Sequence, residues 1–246
     1  MSAPDLVSGY TDVHCHILPG VDDGSPNMED SLKLLDMAYE EGIRFMILTP
    51  HYVPGEIETD PVVLSFLFND IIDAAAEKHP DMELYLGTEI YFRPRITEKI
   101  RAGMIPTMNG TRYVLVEFDN GVSERVLTAA VGECTLNGFI PVIAHMERYV
   151  NLVRNIRLIE DLIHAGAYMQ MNTGSLAGGF FDRRAAMCRK LLKEGYIHLL
   201  GTDCHRPGWR TPKMKTVFEG LKQEEQNIIK KIMTENVPKL LSGEYI

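Results

Sequence analysis

The chain has 246 residues, 45% of them hydrophobic and 24% charged, with 20 glycines and 13 prolines scattered rather than gathered into a linker, so it reads as a single domain over 1–246. Its 34 acidic and 25 basic residues leave a net charge of −9, which argues against a nucleic-acid footprint, although bound divalent ions would reverse the sign locally. No apolar run approaches the roughly 18 residues of a membrane span, residues 1–9 lack a basic-then-apolar leader, and the four cysteines form no C-x-x-C pair; the expectation is a cytoplasmic protein with reduced thiols and no membrane insertion.

Taken in order, short apolar runs alternate with amphipathic stretches. Residues 10–16 predict a first strand, after which Ser25-Pro26 predict the cap and first turn of a helix whose Met28, Leu32, Leu35 and Tyr39 share a face and which Gly42 stops. A strand over 43–49 leads to a helix over 61–79 with Pro80 as its stop, and a strand over 83–88 leads to a short helix near 94–102. Strands over 113–118, 139–144 and 167–172 precede helices over 123–137, 155–165 and 182–194, ended by Gly138, Gly166 and Gly195. A seventh strand over 197–202 and two further helical stretches close the chain. Strands separated by helices imply parallel β-α-β units, and seven of them imply an α/β fold of the distorted (β/α)7, TIM-like barrel type.

The polar residues fall in one place. His16, His51, Glu89, Glu117, His145, Asn172 and Asp203 each stand at or just past the C-terminal end of a different strand, the rim where barrel enzymes carry their chemistry. His14 and His16 project together from the first strand, as do Asp203 and His205 after the seventh. Imidazoles and carboxylates converging from so many strands imply a polynuclear metal centre of the manganese, iron or zinc type rather than a calcium site. Asp12 faces the same way as the two histidines and fits a carboxylate accepting an imidazole N–H. Asp22 and Asp23 compete for one ligand role, with Asp23, beside Gly24, favoured and Asp22 behind it. His79, His164 and His198 lack a strand C-terminus with acidic company and read as structural.

The set Asp12-x-His14-x-His16, Asp22-Asp23-Gly24, Thr49-Pro50-His51, Gly87-Thr88-Glu89, Glu117, His145-x-Glu147-Arg148 and Gly201-Thr202-Asp203-x-His205 resembles the PHP (polymerase and histidinol phosphatase) superfamily. Within it, the chain looks like the bacterial manganese-dependent protein-tyrosine phosphatases encoded with capsule and exopolysaccharide genes, over about residues 10–214. The resemblance implies a distorted seven-stranded barrel holding three manganese ions. His14, His16, Glu89 and Asp203 would serve the first ion, His51, Glu89 and His145 the second, and Asp23, Glu117 and His205 the third. It also implies that Arg148 and Arg210 hold phosphate during attack by a metal-activated hydroxide, and that the substrate is a phosphotyrosine protein, the tail of a polysaccharide-export tyrosine kinase. Segments after the strands, with Asn172 among them, would line the approach. Met146 stands where the family usually has proline.

Three other readings compete. A small-molecule phosphoesterase of the same superfamily would act on an ester such as histidinol phosphate, and a metal-stabilised binding module would turn over nothing. The run Cys204 to Thr211, C-H-R-P-G-W-R-T, satisfies the C-x5-R-[S/T] pattern of cysteine-dependent phosphatases, with Cys204 as nucleophile and Arg210 on phosphate. That chemistry needs backbone N–H groups converging on phosphate, yet Pro207 donates none and His205 and Trp209 crowd the loop. Cys15 and Cys204 also alternate with ligands and should point away from them.

Overall fold

The computed structural model describes residues 9–179 and 181–246. In chain order it runs β1 (Tyr10–Cys15), α1 (Met28–Glu40), β2 (Ile43–Leu48), β3 (His51–Tyr52), α2 (Pro61–Lys78), β4 (Glu83–Leu86), β5 (Glu89–Tyr91) and α3 (Ile96–Arg101). There follow β6 (Tyr113–Glu117), α4 (Glu124–Leu136), β7 (Ile140–Ile143), α5 (Val150–Val153), α6 (Ile156–His164), β8 (Tyr168–Asn172), α7 (Arg183–Lys193), β9 (Leu199–Gly201), α8 (Lys215–Glu219), α9 (Gln223–Lys231) and α10 (Val237–Ser242). The side chains of Asp60, Ser123, Asn155 and Asp182 each accept a first-turn N–H of α2, α4, α6 and α7, satisfying donors that a helix start leaves unpaired. The start of α1 differs from expectation. Asn27 caps it, accepting from Asp30 N at 2.9 Å, while Ser25 Oγ donates to Asn27 O. With the helix beginning later, its buried face is Ser31, Leu34, Leu35 and Ala38, and Met28 and Leu32 are only half-buried.

Every strand pair is parallel, in the orders β1-β2-β4 and β3-β5-β6-β7-β8-β9. Two short strands lie beyond the expected ones: the expected strand over 43–49 is β2, followed after a break by β3, and the one over 83–88 is β4, followed after a break by β5. The breaks lie side by side, at Thr49-Pro50 between β2 and β3, where Pro50 has no N–H to give a ladder, and at Gly87-Thr88 between β4 and β5. Backbone bonds span the gap: Thr49 N donates to Cys15 O (2.8 Å), Gly87 N to Leu48 O (2.8 Å) and Glu89 N to Pro50 O (3.0 Å). A Cβ on Gly87 would lie 3.1 Å from Ile47 Cγ2 and 3.3 Å from the Met108 backbone, so glycine permits the close approach. At the other edge of β1, Asp203 N donates to His14 O and His16 N to Cys204 O, both at 2.8 Å. The parallel strands therefore form a curled, half-barrel sheet.

Strand alternation divides the apolar side chains between two cores. Phe45, Ile47, Tyr113, Leu115, Ile140, Val142 and Leu199 pack together with Met108, Val237 and Leu240. Their strand neighbours Met46, Leu48, Val114, Val116, Ile143 and Leu200 pack with Leu34, Leu127, Ile159 and Leu191 of the helices. Toward the strand C-termini, polar residues take over, as Glu117 does two positions after Leu115. The apolar layer thus carries a polar rim. No helix among the described residues is long and apolar enough to cross a membrane.

Before β9, His198 Nδ1 accepts the Met169 N–H at 3.1 Å, and its ring meets Tyr168 edge-on. Burial pushes this imidazole down to about 4. An unfolded histidine titrates near 6.5, so unfolding takes up a proton between about pH 6.5 and 4, and stability falls as pH drops through that window; above it the group is neutral in both states. The stability difference between wild type and His198→Gln, read from urea unfolding, is therefore expected to shrink as pH is lowered from 7 to 4.5. A difference that stays constant over that range contradicts the buried neutral imidazole.

Candidate metal centre

The rim is assembled from six strands. β1 presents His14 and is followed by His16, β3 begins with His51, β5 begins with Glu89, β6 ends with Glu117, His145 follows β7, and Asp203 and His205 follow β9. The loop after β1 folds back to bring in Asp22 and Asp23. A Cβ on Gly24 would lie 2.2 Å from His16 O, so glycine is what lets that loop press against the strand end. His145 (φ 30°), Asp203 (φ 55°) and Arg210 (φ 54°) hold left-handed backbone, which costs a non-glycine residue on the order of 1 kcal/mol or more each. That strain is concentrated at the rim.

His14 Nε2 and His16 Nε2 are 3.2 Å apart, and each is 3.1 Å from Glu89 Oε2. Asp203 Oδ1 lies 3.7 and 3.5 Å from the same two nitrogens. His51 Nδ1 is 3.2 Å from Glu89 Oε2 and 3.1 Å from Glu117 Oε1, and His145 Nε2 is 2.8 Å from Glu89 Oε1 and 3.7 Å from Glu117 Oε2. Asp23 Oδ1 is 3.5 Å from His51 Nε2 and 3.6 Å from His205 Nε2. Three groups are compact enough to hold an ion: His14, His16 and Glu89; His51, Glu89 and Glu117; and His16, Asp23, His51 and His205. All nine expected residues meet at this rim, but their grouping differs from the expected one. Glu117 joins His51 and Glu89, whereas Asp23 and His205 meet His16 and His51.

Hydrogen positions decide whether these groups suit cations. Gln170 Oε1 accepts the His145 N–H at 2.6 Å, which identifies that atom as oxygen, so His14 Nδ1, 3.1 Å from it, carries the proton. His16 Nδ1 donates to Asp22 Oδ2 at 2.8 Å. In their neutral forms both Nε2 atoms then present lone pairs to each other and to the Glu89 carboxylate, a repulsive arrangement that a shared cation relieves. His205 is arranged alike, with Nδ1 donating to Asp203 O at 3.0 Å and Nε2 accepting from Arg210 Nη1 at 3.0 Å. His51 Nδ1 is buried and, although Glu89 Oε2 and Glu117 Oε1 lie 3.2 and 3.1 Å away, it makes no well-formed hydrogen bond among the described residues. Titration pulls agree: burial lowers His145, yet hydrogen bonds with Glu117 and Glu89 push it up to about 9, and Glu89, despite burial, is held well below the carboxylate range by His14 and His51. This cluster draws positive charge.

Behind the ligands, Asp12 makes no hydrogen bond to an imidazole among the described residues. Its carboxylate accepts from His14 N (3.1 Å), Thr202 N (2.8 Å) and Thr202 Oγ1 (2.5 Å), tying β1 to the turn that carries Asp203. The imidazole-accepting role expected of it belongs to Asp22 and Gln170. Asp22 Oδ2 also accepts the His51 N–H at 2.9 Å, leaving the more exposed Asp23 to face His51 and His205. Gln170 escaped the sequence reading, although its alternation with Asn172 on β8 was a usable signal. Its Nε2 donates to Asn172 Oδ1 at 3.0 Å, and Asn172 Nδ2 donates to Asp203 Oδ2 at 2.7 Å. Tyr149 was likewise missed; its hydroxyl accepts the Phe118 N–H at 3.0 Å and lies 3.4 Å from His145 Nδ1. Arg148 Nη2 and Arg210 Nη2 both pair with Asp203 Oδ2.

Cys204 is fully buried and belongs to the apolar cluster that includes Cys15, whose thiol burial pushes well up. The loop after it is a tight turn in which Arg206 N donates to Trp209 O and Trp209 N to Arg206 O, each at 3.1 Å, while His205 N donates to Arg210 O at 2.9 Å. Those amides are spent inside the turn and do not converge on a thiolate.

A parallel α/β sheet with imidazoles and carboxylates on its C-terminal rim is the architecture of metal-dependent hydrolases. The chain belongs to the capsular polysaccharide synthesis family CpsB/CapC, whose model matches residues 10–242. It is 30% identical over 241 residues to the tyrosine-protein phosphatase CpsB of Streptococcus pneumoniae, covering 96% of this chain and 99% of that protein. Among solved structures it is similar to a chain from the work on YwqE from Bacillus subtilis and CpsB from Streptococcus pneumoniae, described as unique metal-dependent tyrosine phosphatases, with TM-score 0.86, 29% identity and 96% of both chains covered. Histidinol phosphate phosphatase of Lactococcus lactis shares the fold at TM-score 0.59 and 16% identity, over 91% of this chain and 94% of that one.

Equilibrium dialysis with elemental analysis checks the centre independently of any substrate. His14→Ala and Glu89→Ala are expected to lose bound divalent metal, and Gln170→Leu to weaken binding about 10- to 100-fold, the usual cost of removing an orienting partner. Wild-type metal content in Glu89→Ala contradicts the assignment.

Proposed function

We propose that this chain is a metal-dependent protein-tyrosine phosphatase that hydrolyses phosphotyrosine on a protein substrate. The observation that carries the reading is the convergence of Arg148 and Arg210 on Asp203 Oδ2 beside the imidazole–carboxylate cluster. Two guanidinium forks aimed at one oxyanion next to a cation-seeking pocket are suited to the dianion of a phosphate monoester. Family membership and the likeness to tyrosine phosphatases support the same reading.

In this proposal residues 1–246 act as one domain, a distorted (β/α)7 barrel closed by the bonds between β1 and Asp203-Cys204. His14, His16 and Glu89, with Asp203 beside them, would hold one ion; His51, Glu89 and Glu117, with His145 against both carboxylates, a second; and Asp23 and His205, with His16 and His51, a third. Manganese is the ion proposed, from the family. Bound there, divalent ions supply an acidified water and positive charge for phosphate oxygens. The protein's own part is orientation. Asp203 keeps both guanidinium groups poised, and Asn172, tied to Gln170, fixes Asp203 in turn. A phenolate of parent pKa about 10 leaves with little protonation, so no side chain is assigned as general acid. The physiological substrate proposed is the tail of a polysaccharide-export tyrosine kinase met in the cytoplasm.

Chelation and dialysis are expected to abolish phosphotyrosyl-peptide hydrolysis and added manganese to restore it, with at least about a tenfold preference over histidinol phosphate, a gap of roughly 1.4 kcal/mol. Arg148→Ala and Arg210→Ala should keep bound metal and lose on the order of 10² in kcat/KM, with lysine only partly restoring it. Full activity in metal-free protein would sink the reading, and a preference for histidinol phosphate would move it to the small-molecule esterases.

Thiolate chemistry makes the opposite forecast at one residue. Because Cys204 is a core side chain, Cys204→Ser is expected to keep at least about a tenth of wild-type turnover, the loss coming from repacking. A folded, metal-replete and inactive Cys204→Ser protein would reinstate the cysteine mechanism.

A further inference from the structure

Two cavities flank the rim, and each shares one of the phosphate arginines. One, of about 300 Å³, is lined by Arg210 and Lys213 with Thr173, Ser175 and Thr211. The other, of about 520 Å³, is lined by Arg148 and Arg184 with Asn120 and Val150. Arg148 and Arg210 turn inward to Asp203. Arg184 and Lys213 are exposed and stand on the outer side, and neither charged group has an ion-pair partner among the described residues. Glu147 also borders the second cavity, but it is only 5% exposed and its Oε1 accepts from Asn172 N and Ser175 Oγ. The accessible charge in both cavities is positive.

The chain carries a net charge of −9, with 34 acidic residues against 25 basic ones. The overall charge opposes an acidic ligand at long range. Within a Debye length of about 8 Å at physiological ionic strength, however, the nearest cations dominate. Each cavity is separate from the ligand cluster and adjoins the phosphate position through its arginine, so a peptide held by its phosphotyrosine would send its flanking residues into them.

We propose that Arg184 and Lys213 are specificity-determining residues that select a phosphotyrosyl peptide carrying acidic side chains on both sides of the phosphotyrosine. The inference rests on the phosphatase reading for the place of the phosphate and goes beyond it in naming the sequence chemistry around that phosphate. Neither residue touches the reacting atoms. Each contributes one rim ion pair, which at such exposure is expected to change affinity about two- to fivefold, and roughly tenfold for both together.

The test measures binding and turnover separately on the full-length, manganese-loaded protein. Peptides containing a non-hydrolysable phosphonate in place of phosphotyrosine, flanked by Glu, Ala or Lys on both sides, are titrated by fluorescence anisotropy, and p-nitrophenyl phosphate turnover is recorded alongside. The Glu-flanked peptide is expected to bind about tenfold more tightly than the Ala-flanked one. Arg184→Ala and Lys213→Ala should each remove a two- to fivefold share, and Arg184→Glu/Lys213→Glu should reverse the preference toward the Lys-flanked peptide. Turnover of p-nitrophenyl phosphate should stay within about twofold throughout, because that substrate has no flanking residues. Equal affinity of wild type for the three peptides, or an acidic preference that survives in the double Glu variant, overturns the proposal. Loss of p-nitrophenyl phosphate turnover in wild type strikes the phosphatase reading instead, and the affinity order still decides the selectivity. An acidic polysaccharide that binds more tightly than the Glu-flanked peptide would assign the two cations to a different polyanion and likewise overturn it.

Discussion

Glu89 is a carboxylate with 1% exposure placed within 3.2 Å of four imidazoles, those of His14, His16, His51 and His145. Burying an ionised carboxylate costs several kcal/mol unless positive charge accompanies it. Imidazoles provide that charge by taking protons, which explains the upward pull on His16, His51 and His145, or they stay neutral and leave the task to metal. Much of the surrounding architecture serves to bring those groups to Glu89. The paired breaks at Thr49-Pro50 and Gly87-Thr88 set His51 directly beside Glu89 as register partners in β3 and β5. Regular strands through both positions would have no need of a proline at the junction.

A second layer fixes what the first layer needs. Gln170 Oε1 fixes the proton of His14 and the backbone of His145, and the same amide continues through Asn172 to Asp203. One buried chain of amides therefore links β1, the turn after β7, β8 and the turn after β9. Such a network is costly when half satisfied and orienting when complete. Among the described residues, the buried side-chain atoms without a hydrogen bond include His51 Nδ1, in the ligand cluster where an ion would meet it, and also Thr88 Oγ1 and Glu147 Oε2.

The C-terminal rim was legible in the sequence because its residues stand at ends of apolar runs, and run ends in a parallel sheet lie together. Helix starts were legible at Asp60, Ser123, Asn155 and Asp182, where a capping side chain precedes an amphipathic stretch. Ser25 misled because two capping-type residues, Ser25 and Asn27, stand close together, and pattern alone does not say which hydroxyl or amide the first turn will use. The short strands β3 and β5 were hidden for a related reason, since each begins just past a break, at Thr49-Pro50 or Gly87-Thr88, where the expected strand ends. The grouping of ligands was beyond reach of spacing. Whether Glu117 meets His51 or His205 depends on how far the sheet curls, and no local pattern encodes that curl.

The imbalance at the rim also bears on how stability and activity are divided. Left-handed backbone at His145, Asp203 and Arg210, opposed lone pairs on His14 and His16, and a deeply buried carboxylate all raise the energy of the folded chain. The apolar layer beneath, with Tyr113, Leu115, Ile140 and Val142 fully covered, is what offsets them. A ligand that binds only the folded chain adds RT ln(1 + [L]/Kd), about 2.7 kcal/mol at a hundredfold excess over Kd. Divalent ions at such a centre would therefore act twice, once on chemistry and once on the strain that the bare ligands impose. The groups that orient the imidazoles, the Gln170 amide, the Asp22 carboxylate and the Asp203 backbone carbonyl, all accept hydrogen bonds and none is a cation, so they leave the Nε2 lone pairs of His14 and His16 facing the Glu89 carboxylate.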